Sequence, residues 1–140
     1  MATTKTITVE TTVQLPVARV WELWTSPEHI TQWNFASDDW HAPSAENDLR
    51  PGGHFRSRME AKDGSMGFDF TGRYKQVIPN QKIVYLIEDG RKVEITFDSR
   101  DGGTTVTETF AAESTHPLDQ QKSGWQAILD NFKKYAEATK

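Results

Sequence analysis

Glu108 stands out among the residues able to do chemistry. It lies in Val106-Thr-Glu-Thr-Phe110, where Val106, Glu108 and Phe110 share one strand parity and Thr105, Thr107 and Thr109 hold the other. A carboxylate on the apolar face of a strand is costly unless it is paired, hydrated or used. Two readings follow. Either Glu108 is a hydrogen-bonding group or general base for a ligand, or it is paired with Arg or Lys, or turned outward by a β-bulge. A second acidic group is Asp38-Asp39-Trp40-His41. Acid beside imidazole suits acid–base work or a divalent cation. Nothing else at ligand spacing supports a metal, so the favoured reading is a capped turn with Trp40 as its apolar anchor. The histidines at 29, 41, 54 and 116 form no H-E-x-x-H pattern. His54 shares the parity of Arg56 and Arg58 and is expected on the outer sheet face. His29, at a capped helix start, is expected in solvent. Gly52-Gly53 and Gly102-Gly103 match no phosphate loop, and no G-x-S-x-G elbow occurs, so both read as turns. Arg50 is expected to clamp its segment to Asp48 or Asp39, a role that suits a planar guanidinium. No cofactor and no catalytic pair is implied.

The elements that must position these groups follow from hydrophobic periodicity. Ile7, Val9 and Val13 alternate with polar residues, as in a strand with one buried face. Val17, Val20, Trp21 and Trp24 follow Pro16 at helical spacing, and Ser26-Pro27 restarts a short helix carrying Ile30 and Trp33. Residues 34–53 are polar and rich in turn formers, and read as a long loop or lid. From Phe55 to Phe110 the chain reads as an antiparallel meander punctuated by Asp63-Gly64, Pro79-Asn80, Asp89-Gly90 and Asp101-Gly102-Gly103. Met66, Phe68, Phe70, Gly72, Tyr74 and Ile78 share one parity of its second strand. Pro117 then opens a helix starting near Leu118, with Trp125, Ile128, Leu129, Phe132, Tyr135 and Ala136 along one face. That stripe needs a large apolar partner, which a curved antiparallel sheet of about six strands supplies. The expected fold is therefore α+β, a sheet wrapped around a long C-terminal helix.

The 140 residues suit one domain, 1–140, without repeats or linkers. Five Trp, seven Phe and three Tyr suggest a core with irregular space. A net charge of −4 without a basic run argues against nucleic acid as partner. No window approaches the ~18 apolar residues of a membrane span, and the N-terminus shows no apolar signal region. The lack of Cys excludes disulfides and thiol catalysis, and fits a cytoplasmic location.

Read in order, several segments carry a resemblance. They are Pro16-Val-Ala-Arg-Val-Trp21, Ser26-Pro-Glu-His-Ile-Thr-Gln-Trp33, Asp38-Asp-Trp40, Asp48-Leu-Arg-Pro-Gly-Gly53, Thr71-Gly-Arg-Tyr74, Val77-Ile-Pro79 and Gly124-Trp125. Together they resemble the START-like (helix-grip, SRPBCC, Bet v 1-like) superfamily, and most closely its activator of Hsp90 ATPase homologue 1 branch. The resemblance implies the helix-grip fold and a cavity between the long helix and the concave sheet face. Function is less constrained, because the superfamily hosts carriers, receptors, cyclases, hydrolases and co-chaperones. The residues expected to contact a ligand are Trp33, Trp40, Phe55, Met59, Phe68, Phe70, Tyr85, Phe97, Glu108, Phe110, Trp125, Leu129 and Phe132. Gly124, unusual inside a helix, is expected either to let another segment approach or to open the cavity mouth.

Three functions are weighed, in this order. The first is binding of a small hydrophobic molecule, lipid-like or polycyclic aromatic, in that cavity. The second is a co-chaperone or protein-binding module with a chaperone partner, as the branch name suggests. The third is an enzyme of cyclase or hydrolase type with Glu108 or Asp39 as base. A monomer or weak homodimer is expected.

Overall fold

The computed structural model describes residues 5–35, 37–87, 90–113 and 117–139. Asp89 and His116 lie outside the described residues. The order of elements is β1 (Thr6–Val13), α1 (Val17–Thr25), α2 (Pro27–Ile30), β2 (Trp40–Asn47), β3 (His54–Ala61), β4 (Gly67–Ile78), β5 (Lys82–Ile87), β6 (Lys92–Arg100), β7 (Gly103–Ala111) and α3 (Leu118–Thr139). All strands belong to one antiparallel sheet in the order β1-β7-β6-β5-β4-β3-β2. Consecutive strands from β2 to β7 pair as a meander, and β1 closes the far side against β7. The α+β architecture expected from periodicity, a sheet wrapped around a long C-terminal helix, is present, and it is the helix-grip fold that the resemblance implied.

The sheet has seven strands where the alternation suggested about six. The extra one is β2, in the segment read as a loop. Its sequence, Trp40-His-Ala-Pro-Ser-Ala-Glu-Asn47, has no two-residue apolar rhythm and contains a proline. Both features fit an edge strand. β2 pairs only with β3, and the register shifts between His41 and Ser44, across Pro43. A residue without an N–H costs no ladder bond at such a place. A second irregularity lies in β4. The register shifts between Tyr74 and Gln76, so Val77 packs on the core in place of Ile78, which parity alone had put there.

Helix α3 lies across the concave face. Leu129, Phe132 and Ala136 are fully buried, and Trp125, Ile128 and Tyr135 pack on the core from the margins of the same stripe. Ile7, Val9, Val13, Val93, Ile95, Phe97, Val106 and Phe110 oppose them from the sheet. The polar flank of α3 has its own task. Gln126 Nε2 donates to the Glu10 carbonyl at 3.1 Å, Lys133 Nζ to the Thr12 carbonyl at 2.6 Å, and the Gln14 amide donates to Glu137 Oε2 at 3.0 Å. These bonds occupy polar backbone groups of the β1 edge that would otherwise invite another strand.

Candidate functional site

Between α3, the short helices and strands β2 to β7 lies a cavity of about 330 Å³. Its walls are mostly ring and aliphatic side chains. Trp125 stacks on Phe110, with centroids 3.9 Å apart and planes at 13°. Phe70 meets Trp125 edge-on at 6.3 Å, and Phe55 meets Tyr85 edge-on at 4.8 Å. Such offset and edge contacts are the arrangements that ring quadrupoles favour. They brace the rings that line the cavity. The far wall is Trp24 and Trp33, whose ring centroids are 4.7 Å apart.

Of the expected ligand-contacting residues, Trp33, Phe55, Met59, Phe68, Phe70, Tyr85, Glu108 and Trp125 line this cavity. Phe97, Phe110, Leu129 and Phe132 do not. They are buried in the core, three of them against rings that line the cavity: Phe110 stacks on Trp125, Phe132 meets Trp24 and Trp33 in T-shaped contacts, both at 4.8 Å, and Phe97 makes T-shaped contacts with Trp21 and Trp24. Trp40 is also off the cavity. It begins β2, with its ring 6.0 Å from Phe68. Parity and helical spacing show which face a side chain points to, but not how far along that face the helix has already filled the space.

Several lining residues were not singled out. Trp24, Ile30, Ser57, Tyr74, Ile83 and Ile95 line the cavity, and period or parity could have found them. Asn34, Glu46, Asn47 and Arg91 also line it, but they come from irregular or edge segments that carry no rhythm. Asn47 joins three elements at the mouth: its Nδ2 donates to the Thr25 carbonyl at 2.6 Å, and its Oδ1 accepts from the Tyr74 hydroxyl. Asn131 of α3 likewise donates to the Trp33 carbonyl at 2.8 Å. The short helices are thus tied to both the sheet and α3.

A family model described as Activator of Hsp90 ATPase homolog 1-like protein matches residues 14–137. The chain belongs to this family. An AHSA1-like protein from Aeromonas hydrophila, solved by NMR, is 46% identical over 96% of this chain and 93% of its own, with a TM-score of 0.91. A Cytophaga hutchinsonii protein solved in solution is 52% identical over 94% of this chain and 92% of its own, with a TM-score of 0.82. A crystal structure from Nitrosomonas europaea, at 20% identity, covers 96% of each chain with a TM-score of 0.83 and shows the shared fold alone. No curated protein matches the chain. The helix-grip fold of this family is compatible with ligand binding and with co-chaperone-like roles.

Within the family's fold, Glu108 is the polar centre of the cavity. The β7 register is unbroken on both sides, pairing Glu108 with Val9 of β1 and Ile95 of β6, so no bulge turns the side chain outward. The residue is 5% exposed, and burial pushes its carboxyl up to about 8. No hydrogen bond or ion pair to Glu108 occurs among the described residues, so the ion-pair reading fails. Every fully enclosed side-chain nitrogen or oxygen among those residues has a partner. The carboxyl oxygens of Glu108 must therefore be reachable from the cavity. Burial also pushes the Tyr85 hydroxyl well above its ordinary range, and the nearby Glu108 charge adds to this. Tyr74 is raised by burial as well, partly offset by its bond to Asn47. At neutral pH the cavity thus holds a protonated carboxyl and two neutral phenols.

The other chemistry-bearing groups are structural or stand apart. Asp38 and Asp39 are exposed, and the Asp39 carbonyl accepts the Lys62 amide at 2.8 Å. His41 Nε2 lies 3.7 Å from Glu60 across the β2–β3 ladder. No group of three metal-ligating side chains exists among the described residues. Arg50 Nε meets Asp48 Oδ2 at 3.0 Å, one of the two expected clamps, but both side chains are at least half exposed, so the pair contributes little. His54 is on the outer face, 3.4 Å from Arg73. His29, expected in solvent, is instead half-buried with Nδ1 2.7 Å from the Tyr135 hydroxyl, linking α2 to α3. Met66 and Phe68 are exposed, at 66% and 48%, and Phe68 also borders the cavity. Around Gly124 a Cβ would meet nothing within 4 Å. No segment approaches it closely, which removes the first of the two roles expected for that glycine.

Proposed function

We propose that this protein binds a small hydrophobic molecule, lipid-like or polycyclic aromatic, between the concave sheet face and α3. The observation that carries the reading is the combination of an aromatic-walled space of about 330 Å³ with one buried, unpartnered carboxyl opening into it. A volume of this size lies at the lower end of small-molecule sites, and a few polar groups in an apolar cleft are their usual composition.

Displacement of a neutral naphthalene dye tests the reading. One dye per chain is expected to bind, with fluorescence transfer from the tryptophans lining the cavity. Ser57 is buried on the cavity wall, and Ser57→Phe fills the space. That variant should lose at least about tenfold in dye affinity. Native mass spectrometry of freshly purified protein supplies a measurement without substitution. Equal dye binding by folded wild type and Ser57→Phe, with no co-purifying mass, would overturn the reading.

A second reading, protein binding related to Hsp90 ATPase activation, draws support from the family description and from the exposed Met66 and Phe68 on one hairpin. Stimulation of a bacterial Hsp90 ATPase that disappears in a Met66→Ser/Phe68→Ser variant would support it. No stimulation at saturating protein would exclude it.

A further inference from the structure

Resting on the cavity as a ligand site, we propose that its occupant is a lipophilic amine: an apolar aromatic or elongated body with a basic nitrogen, seated with its ammonium against Glu108. Glu108 is a carboxyl buried to 5% exposure, without a partner among the described residues, whose oxygens open into the cavity. What surrounds it selects the sign of the ligand's charge. Trp125, which lines the cavity, is held by stacking on Phe110. Phe70, Phe55 and Tyr85 add further ring surface on the same wall. Aromatic faces carry the negative side of the ring quadrupole, so they attract a cation and repel an anion. A carboxyl among such faces is complemented twice by an ammonium, once through charge and once through the rings. A carboxylate ligand is complemented by neither Glu108 nor these rings, and an alcohol by a single hydrogen bond.

Of the other charged and titratable groups around the cavity, Arg91 alone among the described lining residues is a cation that would oppose an ammonium. From β5 and β4 come Tyr85 and Tyr74, both kept neutral by burial. From β2 comes Glu46, at the mouth, bonded to Arg56 at 2.7 Å. Arg91, just before β6, is a cation on the wall, but its Nη1 donates to the Ala111 carbonyl at 3.3 Å. Burial is the cause that moves Glu108, and no positive charge offsets it. Helix α3 contributes only Trp125 and Ile128 to the wall. The cation that would stabilise ionised Glu108 is thus absent from its immediate surroundings and is supplied by the ligand. The proton balance is explicit: the ammonium enters from solution, the neutral Glu108 carboxyl loses its proton to buffer, and the two form an ion pair.

A matched trio tests the assignment: 2-naphthylmethylamine, 2-naphthylmethanol and 2-naphthoic acid, titrated calorimetrically into the full chain in two buffers of different protonation heat. The amine is expected to bind at least about tenfold tighter than the alcohol, with the acid weakest. Since Glu108 titrates near 8, amine binding at pH 7 should release close to one proton per chain, and alcohol binding none. Glu108→Gln should abolish both the preference for amine over alcohol and the proton release. An alcohol that binds as tightly as the amine, or amine binding without proton release, would overturn the amine assignment and leave the cavity reading intact. If none of the three binds, the cavity reading falls and this assignment falls with it. The proton count comes from the unaltered chain, so the test holds even if Glu108→Gln does not fold.

Discussion

At the scale of single residues, Glu108 links the cavity to the stability of the fold. Its carboxyl is raised to about 8 in the folded chain, against about 4.5 ordinarily, with burial as the cause. The folded state therefore binds more protons than the unfolded state between these values. The contribution of neutral Glu108 is fully present below about pH 4.5, declines as pH rises, and is gone above about pH 8; a shift of this size corresponds to roughly 4–5 kcal/mol at most. Glu108→Gln cannot ionise. Its urea-unfolding free energy should stay flatter than that of the wild type from pH 5 to 8 and exceed it at pH 8.5. Parallel pH profiles for the two proteins would show that Glu108 does not titrate in this range.

At the scale of elements, α3 performs two tasks with two faces. The apolar stripe closes the core, and Gln126, Lys133 and Glu137 bond the backbone of the β1 edge. Gly124 serves neither. It sits in the helix with open space where a Cβ would be. Alanine there should add about 0.5–1 kcal/mol of stability, since glycine loses more backbone freedom on entering a helix. A rise in Tm with unchanged dye affinity is the expected result, and a fall in Tm would reveal a contact made only in motion. The β2 edge shows the opposite case. Its strand is specified by pairing with β3 and not by its own composition, which is why residues 34–53 read as a loop.

At the scale of the whole molecule, the concave face is part filled core and part open cavity. Phe132 belongs to the first, fully buried behind Trp24 and Trp33, and Phe68 to the second, lining the cavity and half exposed. Phe132→Ala should cost about 3–5 kcal/mol. Phe68→Ala should cost about 1 kcal/mol or less, yet weaken dye binding. Chemical denaturation and dye titration of both variants separate the two parts, and similar losses of stability would erase the distinction. The sequence by itself determined the faces. The two-residue rhythm of Phe55, Ser57 and Met59, or of Val106, Glu108 and Phe110, reflects a backbone that alternates sides, and the spacing of Trp125, Leu129 and Phe132 reflects the helical turn. These are local properties of the chain, so the strands other than β2, the meander from β3 to β7, the start of α3 and the inward direction of Glu108 were legible. Only the tertiary structure decided where α3 comes to rest along the sheet. That depends on bonds between distant residues, such as those from Asn131 to Trp33 and from Gln126 and Lys133 to β1, and it decides that Phe97, Phe110, Leu129 and Phe132 are covered while Glu108 is left facing open space.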